Sequence, residues 1–239
     1  MTVSTVGLLY PGFGAEDDFP WFAQRHRDVL ALPLVHTSVG EDAHRVDALL
    51  DLGSEERLRD GADALMAHGP DSVVWACTSG SFVFGWDGAR RQVDALSEHT
   101  DRPATSTSLA FVEAVRHLGV SRVAVAASYP EDVAVHFREF LRRADITVAG
   151  SSSHGIVTAA EVGLLTRDQV VALAAAADTD GAEALLVPDT AMHTLRWLDD
   201  LEEAAGMPVL TANQVSVWAG LHLLDATRAL PAAGRLFAA

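Results

Sequence analysis

One unit of this chain occurs twice, in the same order and with the same ending. Asp71-Ser-Val-Val-Trp-Ala-Cys77-Thr78 lies over Glu183-Ala-Leu-Leu-Val-Pro-Asp189-Thr190. Arg102-Pro103-Ala-Thr-Ser-Thr-Ser108 lies over Met207-Pro208-Val-Leu-Thr-Ala-Asn213, and Val6 to Pro11 lies over Val123 to Ser128. Each apolar run has the length of a buried strand and leads through turn residues into a stretch of helical periodicity. Alternating strands and helices with right-handed crossovers give parallel, doubly wound sheets. The chain is therefore expected to be α/β, with two similar parallel-sheet domains related by an internal pseudo-twofold repeat. The expected division is 1–105 plus 214–239 for the first domain and 106–213 for the second. Ligands on such sheets bind at the carboxyl ends of the strands. Pro11, Cys77, Tyr129 and Asp189 all fall at those ends, so they should meet in a cleft between the domains.

Between these landmarks the periodicity predicts a helix through Trp21, Phe22 and Val29, a strand at Pro33–His36 and a helix over 54–68. The Cys77 strand should feed a tight turn and a helix N-terminus. Further helices are expected at 107–118, 166–177, 191–205 and 213–227, with a strand at Ile146–Ala149. Pro11-Gly-Phe-Gly14 reads as a turn, and without a third glycine it is no dinucleotide fingerprint.

Composition removes several function classes. The 239 residues are 49% hydrophobic and 21% charged, enough apolar material for a packed core. A net charge of −16 argues against nucleic acid and against anionic membrane surfaces, since phosphate contacts need clustered Lys and Arg. One cysteine excludes an intrachain disulfide and Cys-based zinc sites, and no His/Asp/Glu group has metal-ligand spacing. The amino terminus lacks the basic and apolar regions of a signal peptide, and no apolar run approaches the ~20 residues of a membrane span. A cytoplasmic protein is expected, and homo-oligomerisation is left open.

Cys77 is either a small buried core residue or a reagent. In the second case the N–H groups of the turn, with Thr78, Ser79 and Ser81, would favour an anion and lower the thiol pKa. Asp189 has three readings: an acid–base group, a cap for a helix starting near Ala191, or a partner for a substrate amino group. The acidic run Glu16, Asp17, Asp18 either lines the mouth of the cleft or is a solvated loop. His193, one turn beyond Asp189, is a weak candidate among ten histidines.

With these residues placed, the chain resembles the aspartate/glutamate racemase superfamily, in its maleate isomerase and arylmalonate decarboxylase branch. The resemblance runs nearly end to end. It is carried by Cys77-Thr-Ser-Gly-Ser-Phe82, Ala127-Ser-Tyr129, Gly155-Ile156 with Glu161, Leu185-Leu-Val-Pro-Asp189-Thr190, Met207-Pro-Val-Leu, Trp218 and Gly234-Arg-Leu-Phe237. It implies chemistry without a cofactor at a carbon next to a carboxylate. Racemases and maleate isomerases of the family use two cysteines, and the decarboxylases keep only the second. Here the first is kept as Cys77, and Asp189 occupies the place of the second.

Such chemistry builds negative charge on a carboxylate as an enediolate, which preorganised donors must stabilise. The resemblance implies that Thr78, Ser79 and Tyr129 form that pocket, with Pro11 and Thr190 also binding substrate. The expected function is a cofactor-independent isomerase or racemase of a small carboxylate, with Cys77 as nucleophile or acid–base and Asp189 opposite. An arylmalonate-type decarboxylase is the closest alternative, and a non-catalytic carboxylate-binding protein is the alternative from another class.

Overall fold

The computed structural model describes residues 3–12 and 14–238; Phe13, inside the turn expected at Pro11–Gly14, lies outside them. Two parallel sheets are present. The first contains β1 (Ser4–Tyr10), β2 (Leu30–Ala31), β3 (Leu34–His36), β4 (Ser72–Trp75) and β5 (Ala104–Ser106). Its order is β2-β1-β4-β5, with β3 also pairing along β1. The second contains β6 (Arg122–Ala127), β7 (Thr147–Ser153), β8 (Ala184–Val187) and β9 (Val209–Thr211), in the order β7-β6-β8-β9. The two orders are equivalent, as the repeat requires. The inner strands read as unbroken apolar runs because helices cover both faces.

The helices, in chain order, are α1 (Asp18–Arg25), α2 (Val46–Leu52), α3 (Glu55–Met66), α4 (Ser79–Phe82), α5 (Gly85–Thr100) and α6 (Thr107–His117). Then follow α7 (Glu131–Arg143), α8 (Ala159–Gly163), α9 (Arg167–Ala175), α10 (Leu198–Ala205) and α11 (Ala212–His222). The equivalent helices α6 and α11 begin at matched positions after β5 and β9, and each has 11 residues. Ser106 caps α6 by accepting from Leu109 N–H, and Thr211 with Gln214 makes a capping box on α11. No helix among the described residues is long and apolar enough to cross a membrane.

Several boundaries depart from the periodicity. The first helix stops at Arg25 rather than reaching Val29. Val29 N–H and Leu30 N–H both turn back to His26 O, which releases Leu30–Ala31 to pair with β1. The helix after Cys77 is a single turn, α4, before α5 starts anew. The strand expected at Ile146–Ala149 begins one residue later and runs on through Ser153 beside β6, across a register shift at Val123/Ala124. The final helix ends at His222 rather than 227. Helix α2 had no clear signal in the periodicity.

The largest departure is at 191–205, where helix forms only from Leu198. Thr194 N–H and Leu195 N–H donate to the Asp18 carboxylate at 2.7 and 3.0 Å, not to helical carbonyls. A buried acceptor reaching over from α1 therefore outcompetes helix propagation in this segment.

Candidate active site

Cys77 is delivered to the site by sheet pairing. The β1–β4 ladder continues one step past Trp75 through Ala76 N–H to Leu9 O at 2.8 Å, and the chain then turns into α4. Gly80 N–H approaches Cys77 Sγ at 3.3 Å and the Ser79 hydroxyl lies 3.9 Å away. Gly80 keeps this turn close-packed: a Cβ there would lie 3.1 Å from that sulfur and 3.2 Å from the Trp75 ring. Ser81 faces away: its hydroxyl is bound into a buried chain with Ser106 and Ser108.

The expectation of an acidified thiol is not met. Burial pushes the Cys77 thiol up to about 12, against an ordinary 9.0. The N–H groups of Gly80 and Ser79 and the Ser79 hydroxyl pull in the other direction, while the Asp189 charge pushes further up. A four-residue helix brings only a short stack of peptide dipoles, and desolvation of the thiolate outweighs it. Cys77 is thus a neutral thiol at rest.

Asp189 stands at the matching end of β8 and is likewise buried, at 3% exposure. Its Oδ1 accepts from Ala191 N–H at 2.9 Å, and its Oδ2 accepts from the Ser128 hydroxyl. The first bond closes a local turn; the helix it was expected to cap is not there, since α10 starts at Leu198.

Cys77 and Asp189 line one cavity of about 160 Å³, together with Pro11, Ser79 and Thr190. These five of the seven expected site residues are brought together. Thr78 and Tyr129 stand behind the wall. Thr78 Oγ1 is buried beside the Tyr129 hydroxyl. The Tyr129 hydroxyl donates to Pro188 O, and its ring meets His44 and Phe82 edge-on. Burial, reinforced by the charge of Asp189, pushes the Tyr129 phenol well above its ordinary value and keeps it neutral.

Other lining residues are not among the expected site residues. Tyr10, at the end of β1, donates to Thr190 O at 3.0 Å and accepts from Ala15 N–H at 2.9 Å. The loop after β3 supplies Val39, Glu41, Asp42 and His44. It is fastened to the second sheet's side: Asp42 accepts from Ala159 N–H at 2.8 Å and Ala160 N–H at 3.1 Å, and His44 N–H donates to Val157 O at 2.7 Å. The Glu41 charge is met by Arg45 at 2.9 Å. The two sides also approach closely at Gly14, where a Cβ would sit 2.7 Å from that of Ala191.

The acidic run does not line the cavity. Asp18 is fully buried, bonded to Thr194 N–H, Leu195 N–H and Asn213, and within 3.3 Å of Arg196. Asp17 pairs with His193 and Arg196, which engages the histidine considered for the cleft. Glu16 accepts from Gly14 N–H. The run is a clamp between α1 and the segment after Asp189. Among the described residues no three His, Cys, Asp or Glu side chains converge as a metal site.

Two parallel sheets of equal order, meeting at a pocket with an ionisable side chain on a strand end from each, define a two-domain α/β class shared with maleate isomerases and arylmalonate decarboxylases. The chain belongs to the arylmalonate decarboxylase family, whose profile matches residues 52–237. It is 32% identical over 192 residues to an arylmalonate decarboxylase of Bordetella bronchiseptica, covering 76% of this chain and 77% of the relative. It is 26% identical over 248 residues to a maleate isomerase of Nocardia farcinica, covering 99% and 96%. A solved mutant of the Nocardia farcinica maleate cis-trans isomerase, with a covalently bound succinylcysteine intermediate, matches with a TM-score of 0.89. Identity there is 23%, over 99% of this chain and 98% of that one. These relatives place the chain among the isomerases and decarboxylases of this family.

Proposed function

We propose that the protein is a cofactor-independent isomerase or racemase that moves a proton at the carbon next to a carboxylate of a small acid. The observation that carries this reading is the pair of buried groups, Cys77 and Asp189, presented to one cavity from equivalent strand ends of the two sheets. Asp189 removes the α-proton, and the C–H electron pair passes into the substrate carboxylate as an enediolate. Cys77 then donates its thiol proton to that carbon, leaving a thiolate and a protonated Asp189, which the reverse reaction or solvent resets.

A neutral thiol suits proton donation better than addition to a double bond. Ionising a thiol held at about 12 costs roughly 6 kcal/mol at pH 7.5. Ser79 and Thr190 line the cavity and form the carboxylate pocket, while Thr78 and Tyr129, buried behind them, hold its wall.

The substrate class follows from the lining. Val39, Leu49 and Leu52 give an apolar side, Glu41 and Asp42 an acidic one, and no described lining residue is Lys or Arg. The lining favours a monocarboxylate with an apolar or amino substituent over a dicarboxylate.

A neutral Cys77 equally suits protonation of the enediolate left by loss of CO2, and the family match favours that second reading. Incubation of a panel of small acids in D2O separates the two. Deuterium incorporation at the α-carbon without CO2 release is the expected result. Stoichiometric CO2 would establish the decarboxylase instead, and binding with neither outcome would establish a carboxylate-binding protein.

A further inference from the structure

Asp189 sits in a holder that reaches across from other strands, whereas the Gly80 N–H and Ser79 hydroxyl partners of Cys77 Sγ come from its own turn. Its carboxylate is bonded at both oxygens, by Ser128 and by Ala191 N–H. The peptide groups on either side are gripped as well. Tyr129 donates to Pro188 O from the end of β6, and Tyr10 donates to Thr190 O from the end of β1. These are the only two tyrosines of the chain. The backbone around Asp189 is not helical, so helix geometry cannot aim the side chain.

A carboxylate also needs more aiming than a thiol does. A cysteine has one side-chain torsion that places its sulfur, whereas an aspartate has a second, broad sp³–sp² torsion that swings both oxygens. Ala191 N–H comes from Asp189's own turn. Ser128 directly follows the neighbouring strand β6 and is the side-chain donor that fixes the plane from outside that turn.

We propose that Ser128 is a positioning residue for Asp189: its hydroxyl, donating to Oδ2, fixes the carboxylate plane toward the cavity. The inference rests on the reading above that Asp189 exchanges a proton with substrate. Ser128 itself does not line the cavity, so its influence passes through the carboxylate.

The test compares Ser128→Ala and Ser128→Thr with Asp189→Asn. For Ser128→Ala the expected result is a kcat lowered at least 10-fold with KM within 2-fold, and recovery of most of that loss in Ser128→Thr, which keeps the hydroxyl. A second readout needs no substrate. The alkylation rate of Cys77 by iodoacetamide at fixed pH should move in Ser128→Ala toward that of Asp189→Asn, because the Asp189 charge acts on the thiol. Should the alanine variant not fold, Ser128→Cys, nearly isosteric but a weak donor, is read in its place. A Ser128→Ala enzyme with wild-type kcat and wild-type alkylation overturns the proposal. So does a loss of kcat that threonine fails to restore. If the wild type turns over no acid, the proposed function fails, and the alkylation arm alone decides whether Ser128 orients Asp189.

Discussion

Alkylation of the free protein by iodoacetamide gives the most direct measure of how Cys77 is held. Lifting a thiol from 9.0 to about 12 lowers its thiolate fraction at neutral pH by about 10³, equivalent to ~4 kcal/mol. The remaining thiolate is more basic and hence more nucleophilic. A Brønsted slope of about 0.4–0.5 over three units returns a factor of roughly 15–30. The net expectation is a second-order rate at pH 7.5 roughly 30- to 60-fold below that of an ordinary cysteine, before any loss from restricted access. The shape of the profile is the sharper test. The logarithm of the rate should climb with unit slope from pH 7 to pH 10 with no plateau, in a protein whose circular dichroism shows it still folded. An inflection near 8 or 9 would mean that the α4 turn stabilises the thiolate after all. The argument for a proton-donating Cys77 would then collapse.

Asp189→Asn removes a charge that raises the Cys77 thiol, so alkylation at pH 7.5 should accelerate several-fold while turnover falls by 10² or more; unaltered turnover would remove Asp189 from the chemistry. Asp18 tests linkage. Burial raises its carboxyl above the ordinary 3.8 despite its donors, so the folded state binds that proton more tightly than the unfolded chain does. Its contribution is full below the ordinary value and is lost as pH rises through the raised one. Relative to Asp18→Asn, the wild type should lose stability upward through this acidic window, and parallel melting curves for the two proteins would refute the assignment.

The sequence made the repeat legible because strand ends carry strong local chemistry. Apolar runs stop at Cys77-Thr78 and Asp189-Thr190, and the Pro103 and Pro208 runs open helices of identical length. Local chemistry was insufficient wherever a partner distant in sequence decides the backbone. Residues 191–197 have helical composition, but the Thr194 and Leu195 N–H groups serve Asp18, from the far side of the cleft. The cavity loop bearing Asp42 and His44 is placed by bonds to Val157, Ala159 and Ala160, which no local pattern announces. Cys77 shows the same limit in electrostatics. The turn amides were readable from sequence; the depth of burial that overrides them was not.

Helix α11 packs on α6 and against strands β4 and β1 of the first sheet. Ser72 donates to Gly220 O at 2.8 Å, and any Cβ on Gly220 would collide with Val6 at 2.2 Å. Strand β1 is therefore completed by a helix that follows the whole second sheet in the chain. Until that helix arrives, Val6 and Val74 lack their cover, and the amino-terminal half must remain unfinished while the second sheet is already free to assemble. Strand β4, the strand that leads to Cys77, shares that dependence, because α11 packs on it as well.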